Sequence, residues 1–281
     1  MPTLLELLKE ARSKLTGPEA RQESELLLAE ICGISRSHQL IHPDEELSEK
    51  QCQQFDSAIK RRIAGEPLAY ITGSRGFWDM DLQVTPDVLI PRPDTECLVE
   101  QALQRIPADA RWQIADLGTG SGAIALVLAR ERPLCDIIAT DLSMAALVIA
   151  KENARLQGVK NISFAAGSWF QPIKNRLFEM IICNPPYIPV DDPHLKQSDL
   201  PAEPDHALIS GGDGLDAIRK IISDSVLHLK PSGFLLLEHG YDQAIKVTEL
   251  LCNEGFKEIF TEKDYGGNDR VTGGSQMKDE R

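Results

Sequence analysis

From Gln113 onward, short apolar runs alternate with longer amphipathic ones, and few folds accept that order. Gln113–Leu117, Asp136–Thr140, Asn161–Ala165, Met180–Cys183 and Phe234–Glu238 read as strands. Between and after them, helices are predicted through Ile124–Leu128 and over Ser143–Leu156, Leu215–Leu229 and Gln243–Asn253. Two more strands, Phe256–Thr261 and Arg270–Thr272, follow. Such alternation predicts an α/β fold with a mostly parallel sheet, covered by helices that bury both of its faces.

The front of the chain reads differently. Leu4, Leu8, Ala11 and Leu15 repeat at helical spacing, with Thr3 and Glu6 forming a capping box. A second helix runs from Pro18 to Cys32, its apolar face at Leu27, Leu28 and Ile31, and Gly33 stops it. A third starts at Ser48, capped by Gln51, and continues through Cys52, Phe55, Ile59 and Ile63 to Gly65. No polar cluster interrupts these stripes, so a small packed bundle is expected. Gly73, Gly76, Pro86, Pro91 and Pro93 then break helical order, while Leu82, Val84, Val88 and Ile90 sit near strand alternation. The expected organisation is a helical domain over residues 1–75, a hairpin linker over 76–92 and the α/β domain over 93–281.

Composition narrows the function. The 281 residues carry 43 acidic against 30 basic side chains, a net charge of −13, with 42% hydrophobic residues. That excludes a disordered chain and argues against one that grips nucleic acid by its phosphates. No apolar run approaches the ~20 residues of a membrane span, and the first residues lack a signal peptide's basic start and apolar core. The six cysteines lie at least 20 residues apart, without a C-x-x-C pair, which points to reduced thiols and a cytoplasmic setting.

In an open parallel sheet, ligands sit beyond the carboxyl ends of the strands. After the first strand comes Asp116-Leu117-Gly118-Thr119-Gly120-Ser121-Gly122, where glycines allow a tight turn and close approach of a ligand to bare backbone. After the second comes Asp141, whose carboxylate can accept both hydroxyls of a ribose. Gly118, Gly120 and Ala123 also satisfy the loose dinucleotide pattern, so a dehydrogenase remains open on this loop alone. Asp116, however, opposes a pyrophosphate and suits a cationic amino-acid moiety, which favours a sulfonium methyl donor. After the fourth strand comes Asn184-Pro185-Pro186-Tyr187. The Asn side-chain carbonyl and the Pro185 carbonyl can accept both N–H bonds of one planar NH₂ group, the prolines stiffen the backbone, and Tyr187 offers a flat face. This suits methylation of a nitrogen whose lone pair is delocalised. An adenine methyltransferase acting on DNA or RNA would use the same tetrapeptide on a flipped base. A non-catalytic, methyltransferase-like binding module is disfavoured by the intact motif.

These stretches, together with Gly65-Glu66-Pro67-Leu68-Ala69-Tyr70, Ile90-Pro91-Arg92-Pro93-Asp94-Thr95-Glu96, Leu235-Leu236-Leu237-Glu238-His239-Gly240, Asp264-Tyr265-Gly266, Asn268 and Arg270-Val271-Thr272, make the chain resemble the peptide chain release factor glutamine methyltransferases, the PrmC/HemK family, over nearly its whole length. The resemblance implies a class I S-adenosylmethionine-dependent methyltransferase fold, Rossmann-like and seven-stranded with a reversed last strand. It implies an N-terminal helical domain that recognises a protein substrate. It also implies methyl transfer from S-adenosyl-L-methionine to the glutamine side-chain nitrogen, N5, of the Gly-Gly-Gln motif in class-1 release factors, in support of translation termination. Carried over residue by residue, Gly118, Thr119, Gly120, Ser121 and Gly122 line the cofactor, Asp141 holds its ribose and Trp169 flanks its adenine. Asn184, Pro185 and Tyr187 are the catalytic residues. With Pro186 they also hold the substrate, and Asn184 touches the cofactor as well. Arg92 and Glu96 shape the pocket. No metal, stable nucleic-acid partner or membrane is implied.

The chain departs from the family pattern in two places. Ser168 stands before Trp169 where an acidic residue is common, which predicts a weaker contact to the adenine amino group. The polar ending Gly273–Arg281 predicts a short last strand and a frayed tail. His38, His42, His194, His206, His228 and His239 show no metal-like pairing, and His228 is expected on a helix surface. Lys60-Arg61-Arg62 reads as a solvated helix face. Residues 1–75 carry 10 basic and 12 acidic side chains, so most of the negative charge lies beyond them. Asp191, Asp192, Asp199, Glu203, Asp205 and Asp213 crowd one loop there, which is expected to attract a basic partner domain.

Overall fold

A computed structural model describes residues 1–277 and divides the chain into two compact units. The first comprises Met1–Ser74 with the short segment Ser198–Ala202. Its helices are α1 (Leu4–Lys14), α2 (Ala20–Cys32), α3 (Arg36–Ile41), α4 (Glu49–Ile63) and α5 (Leu68–Thr72). Capping boxes at Thr3/Glu6 and Ser48/Gln51 satisfy free N–H groups and start α1 and α4, and Gly33 ends α2 in a left-handed conformation. The predicted stripes meet: Leu4, Leu8, Ala11, Leu27, Leu28, Phe55 and Ile59 share one core.

Several details differ from the sequence expectation. Helices α3 and α5 were not anticipated, because six and five residues are too short to show a helical period. A polar cluster does interrupt the stripes. Glu25 is 7% exposed on α2 and takes Arg12 at 2.7 Å, Arg21 at 2.8 Å and Arg36 at 2.9 Å. Burial pushes its carboxyl up, but the guanidiniums prevail and hold it below the usual range. The basic run is not simply solvated either. Lys60 pairs with Asp56 and Arg61 with Glu66, while the mostly buried Arg62 bonds Glu23 at 2.6 Å and Asp199 at 3.0 Å.

The second unit opens with a hairpin, β1 (Ser74–Phe77) and β2 (Met80–Gln83), then α6 (Thr95–Arg105). There follow β3 (Gln113–Leu117), α7 (Ala123–Glu131), β4 (Asp136–Asp141), α8 (Met144–Leu156), β5 (Ile162–Ala166) and β6 (Phe178–Cys183). The rest is α9 (Asp205–Leu208), α10 (Asp216–Ser225), β7 (Leu229–Glu238), α11 (Ala244–Asn253), β8 (Lys257–Lys263) and β9 (Asp269–Ser275). The sheet order is β5-β4-β3-β6-β7-β9-β8, parallel as far as β7, with β9 reversed between β7 and β8. Alternate residues face opposite layers: Ile114, Met180, Ile182 and Leu236 pack with α6 and α7, whereas Ala115, Ile181, Leu235 and Leu237 pack with α10 and α11.

Helix α6 was missed in the sequence. Helix α10 stops at Ser225 instead of Leu229, because the chain turns there and Leu229 opens β7. His228 is therefore off the helix and stacks on Phe170, ring centroids 4.5 Å apart. The last strand is longer than expected: β9 runs seven residues, because Gly273 and Gly274 fit where a Cβ would meet the Leu235 and Lys257 carbonyl oxygens. The frayed tail falls on residues 278–281, outside the described residues. No helix among the described residues is long and apolar enough to cross a membrane, and none of their His, Cys, Asp and Glu side chains group as metal ligands.

Leu236 is fully buried in the central sheet, so Leu236→Ala is expected to cost about 2–5 kcal/mol in urea unfolding. Leu227→Ala, at a position 77% exposed, is expected to shift stability by less than about 0.5 kcal/mol.

Candidate active site

The chain goes outward from β3 to β4 and β5, then returns to β6 on the other side of β3. The switch point lies between β3 and β6, where open α/β sheets bind ligands. Register makes the site. Leu117 pairs with Cys183 and Cys183 with Leu237, so the next residues, Gly118, Asn184 and Glu238, leave three adjacent strands side by side. Asp141 ends β4 one residue beyond Thr140, the partner of Leu117.

A cavity of about 150 Å³ opens here. Gly118, Gly120, Asp141, Trp169, Asn184 and Pro186 line it together with Ser168. At Gly118 φ is +70°, and an added Cβ would sit 3.4 Å from the Trp169 ring, so bare backbone faces the indole. Asp141 Oδ2 accepts from Gly120 N at 2.9 Å and Oδ1 from Ser143 N at 2.8 Å. A carboxylate offers about four acceptor positions, so two remain for hydroxyl donors.

Other predicted residues lie behind the cavity wall. Thr119 is buried and donates to Asp116 Oδ2 at 2.6 Å, and the Ser121 carbonyl accepts from Asn153 at 2.9 Å. Gly122 is a packing glycine, since a Cβ there would press on Leu126 and Ala150 at 3.2 and 3.3 Å. Pro185 is buried. The Tyr187 hydroxyl donates to Glu238 Oε1 at 3.3 Å. Arg92 pairs with Glu203, whose Oε2 also accepts from Ile90 N at 3.0 Å, and Glu96 accepts from Trp78 N at 2.9 Å. Both therefore brace the segment before α6 and are not among the cavity-lining residues. Asp116 has no exposed surface, its carboxyl is held by Thr119, and it is not among the cavity-lining residues.

Sequence reasoning missed Asp87, Val88, Leu89, Leu142, Ala146, His206 and Ala207, which with Gly167 complete the lining. Val88 was read only as part of the hairpin pattern, and His206 only as an unpaired histidine. The acidic loop also changes meaning. Asp192 bonds His194, Asp199 pairs with Arg62, Glu203 with Arg92 and Asp213 with Arg219, leaving Asp191 and Asp205 exposed. Half of these six carboxylates, Asp199, Glu203 and Asp213, are offset by arginines, which weakens the attraction expected of the loop.

Beneath the cavity lies a polar layer. Asn184 Nδ2 donates to Thr95 Oγ1 at 3.1 Å, and the Thr95 hydroxyl lies near the Glu238 carboxyl. Burial pushes Glu238 up to about 7, opposed by Thr95 and by the neighbouring Arg270. Burial with Glu238 alongside also pushes the Tyr187 hydroxyl well up, so it stays protonated. Arg270 bonds Asp264 Oδ2 at 3.0 Å and the His239 carbonyl at 3.2 Å. Gln243 Nε2 donates to the Tyr187 carbonyl at 3.0 Å, passing over Gly214, where any Cβ would meet that carbonyl at 2.2 Å.

The seven-stranded sheet with one reversed strand, the glycine turn and the strand-end carboxylate define a class I S-adenosylmethionine-dependent methyltransferase. Family models described as PrmC N-terminal domain and methyltransferase small domain match residues 6–73 and 95–213. A release factor glutamine methyltransferase of Pseudomonas aeruginosa is 47% identical over 272 residues, covering 97% of this chain and 98% of that one. Another, of Escherichia coli K12, is 46% identical and covers 94% of this chain and 96% of its own. The chain belongs to the release factor glutamine methyltransferase family. The fold is shared with a methyltransferase crystal structure from Pyrococcus furiosus, at a TM-score of 0.55 and 14% identity, covering 79% of this chain and 99% of that one.

Burial raises Asp116 to about 7, despite the Thr119 hydrogen bond. The folded protein thus keeps this proton to near neutrality, while the unfolded chain loses it near pH 4. Stability from this group is full at low pH and falls as pH rises toward 7. Asp116→Asn keeps an acceptor for Thr119 and removes the titration. Relative to the unsubstituted protein, its stability in urea is expected to gain about 3 kcal/mol between pH 5 and pH 8. Parallel profiles would contradict the assignment.

Proposed function

We propose that the protein methylates the side-chain amide nitrogen, N5, of the glutamine in the Gly-Gly-Gln motif of class-1 peptide chain release factors. The observation that carries this reading is Asn184 at the cavity wall, one residue beyond the Cys183–Leu117 pair and beside Gly118. Full-length identity to relatives named for that reaction supports it.

S-adenosylmethionine supplies, when bound, an electrophilic methyl group on a cationic sulfur. The residues present fit it: bare backbone at Gly118 and Gly120, Asp141 for the ribose hydroxyls, and Trp169 with Ser168 for the adenine. Thr119, Ser121 and Gly122 act by shaping the turn. Asn184 Oδ1 and the Pro185 carbonyl hold the two N–H bonds of the substrate amide, and Pro186 and Tyr187 support the strand-end turn. Holding both N–H bonds leaves the nitrogen lone pair as the one face of that group not engaged by protein. Orientation then supplies most of the acceleration, and no side chain has to ionise the amide beforehand. The nitrogen lone pair takes the methyl carbon as the S–CH₃ bond breaks, its electron pair leaving on a neutral thioether, and the nitrogen then sheds one of its two protons to water. The helical unit, which matches the PrmC N-terminal domain, is the part we assign to recognition of the protein substrate, with residues 76–92 as the linker to the methyltransferase domain. The setting proposed is the cytoplasm, without membrane or stable nucleic-acid attachment.

Labelled S-adenosylmethionine tests this against three acceptors. Label is expected on a release factor, and none on its Gln→Ala variant or on DNA; label on DNA would overturn the reading in favour of adenine methylation. Asn184→Ala is expected to lose turnover by about 100-fold or more, a larger loss than any weakening of cofactor binding in calorimetry. Near-normal methylation by that variant would remove Asn184 from the mechanism.

A further inference from the structure

An asparagine amide has two ends of similar shape and opposite hydrogen-bonding character, and holding a substrate NH₂ requires the carbonyl end. Nothing in the Asn-Pro-Pro-Tyr turn itself decides which end points where. The layer beneath it does. Thr95 is the first residue of α6 and 4% exposed, and its Oγ1 meets Asn184 Nδ2 at 3.1 Å. The same hydroxyl neighbours Glu238, which is 1% exposed and ends β7 beside Asn184. A hydroxyl has one hydrogen. If Thr95 gives it to the Glu238 carboxyl, only lone pairs are left for Asn184, and those accept an N–H and reject a carbonyl.

We infer that Thr95 and Glu238 are positioning residues that fix the Asn184 amide with its NH₂ inward and its carbonyl toward the substrate. The charged and titratable neighbours are arranged to sustain this. Tyr187 donates to Glu238 Oε1, and Arg270 stands near the same carboxyl. Arg270 is in turn held by Asp264, with Asp94 at 3.6 Å and the His239 carbonyl at 3.2 Å. Glu238 Oε2 has no hydrogen-bond partner among the described residues, so one oxygen, Oε1, suffices for the Tyr187 contact. An amide side chain in place of the carboxyl would still present such an acceptor.

The inference rests on the amide-methylation reading, and one set of variants separates the two. Thr95→Val keeps the shape and removes the hydroxyl, Thr95→Ser keeps the hydroxyl, and Glu238→Gln keeps an acceptor for it. Steady-state methylation of a release factor, cofactor binding by calorimetry and thermal unfolding are measured for each. Thr95→Val is expected to lose kcat by on the order of 100-fold, with cofactor Kd and KM for the release factor unchanged. Thr95→Ser and Glu238→Gln are expected to keep most of the turnover. Full turnover by a folded Thr95→Val protein would overturn the inference. So would loss of turnover in Thr95→Ser or Glu238→Gln at unchanged melting temperature, because a role in packing or charge, not hydroxyl direction, would then be at work. If the unsubstituted protein itself puts no methyl on the release factor, it is the proposed function that fails.

Discussion

The parallel ladder of β3, β6 and β7 ends in one row, Leu117, Cys183 and Leu237; β3 and β6 stop there and β7 one residue later. That alignment is what brings a bare-backbone glycine, an amide and a buried carboxyl together. It is enforced by alternation: a slip of one residue would turn Leu117, Cys183 and Leu237 away from the layer they fill with α10 and α11. The apolar core and the active site are thus two consequences of one register. Both depend on Asn184 and Glu238 directly following the apolar runs Met180–Cys183 and Phe234–Leu237.

Placing polar groups just under such a core is costly unless each finds a partner. The second unit meets most of that demand with contacts between distant segments, Glu238 Oε2 being an exception. Asp94 and Thr95 come from the start of α6 after the Pro-rich run, Glu238 and His239 from the end of β7, and Asp264 and Arg270 from the β8–β9 hairpin. His239 itself is fully buried, with Nε2 against the Thr272 hydroxyl at 2.7 Å. The motifs that carry the family resemblance are therefore, in large part, the supporting layer of the site and not its lining. Glu203 performs a comparable service on the other side, tying Ile90 and Arg92 in place beneath the segment from Asp87 to Leu89 that borders the cavity.

How much of this is legible in the sequence follows from range. The sheet strands are legible because continuous apolar runs such as Met180–Cys183 have few other uses. Gly118, Asp141 and Asn184 are legible because each directly follows or ends such a run, so the sheet rule places them at one edge. Helices α3 and α5 are too short to show a period, and the apolar residues of α6, Cys97, Leu98, Val99 and Ala102, are spread too broadly to mark a face next to prolines. Roles of Thr95 and Glu238 are invisible locally, since they reach Asn184 and Tyr187 across 89 and 51 residues. Charge misled for a related reason. The counts identify acidic residues in the loop after the motif, but only tertiary structure shows Glu203 and Asp213 already paired with Arg92 and Arg219.

The central claim is directional: the Asn184 carbonyl faces the substrate because a buried hydroxyl and carboxyl hold its NH₂. Neutron diffraction of the deuterated protein, crystallised with S-adenosylhomocysteine and a glutamine-bearing peptide, observes that direction without inference. The account predicts deuterium on Asn184 Nδ2 pointing at Thr95 Oγ1, deuterium on Thr95 pointing at Glu238, and the peptide amide's deuterium on Asn184 Oδ1. An amide turned the other way, with its carbonyl on the Thr95 hydroxyl and its ND₂ toward the peptide, would contradict it.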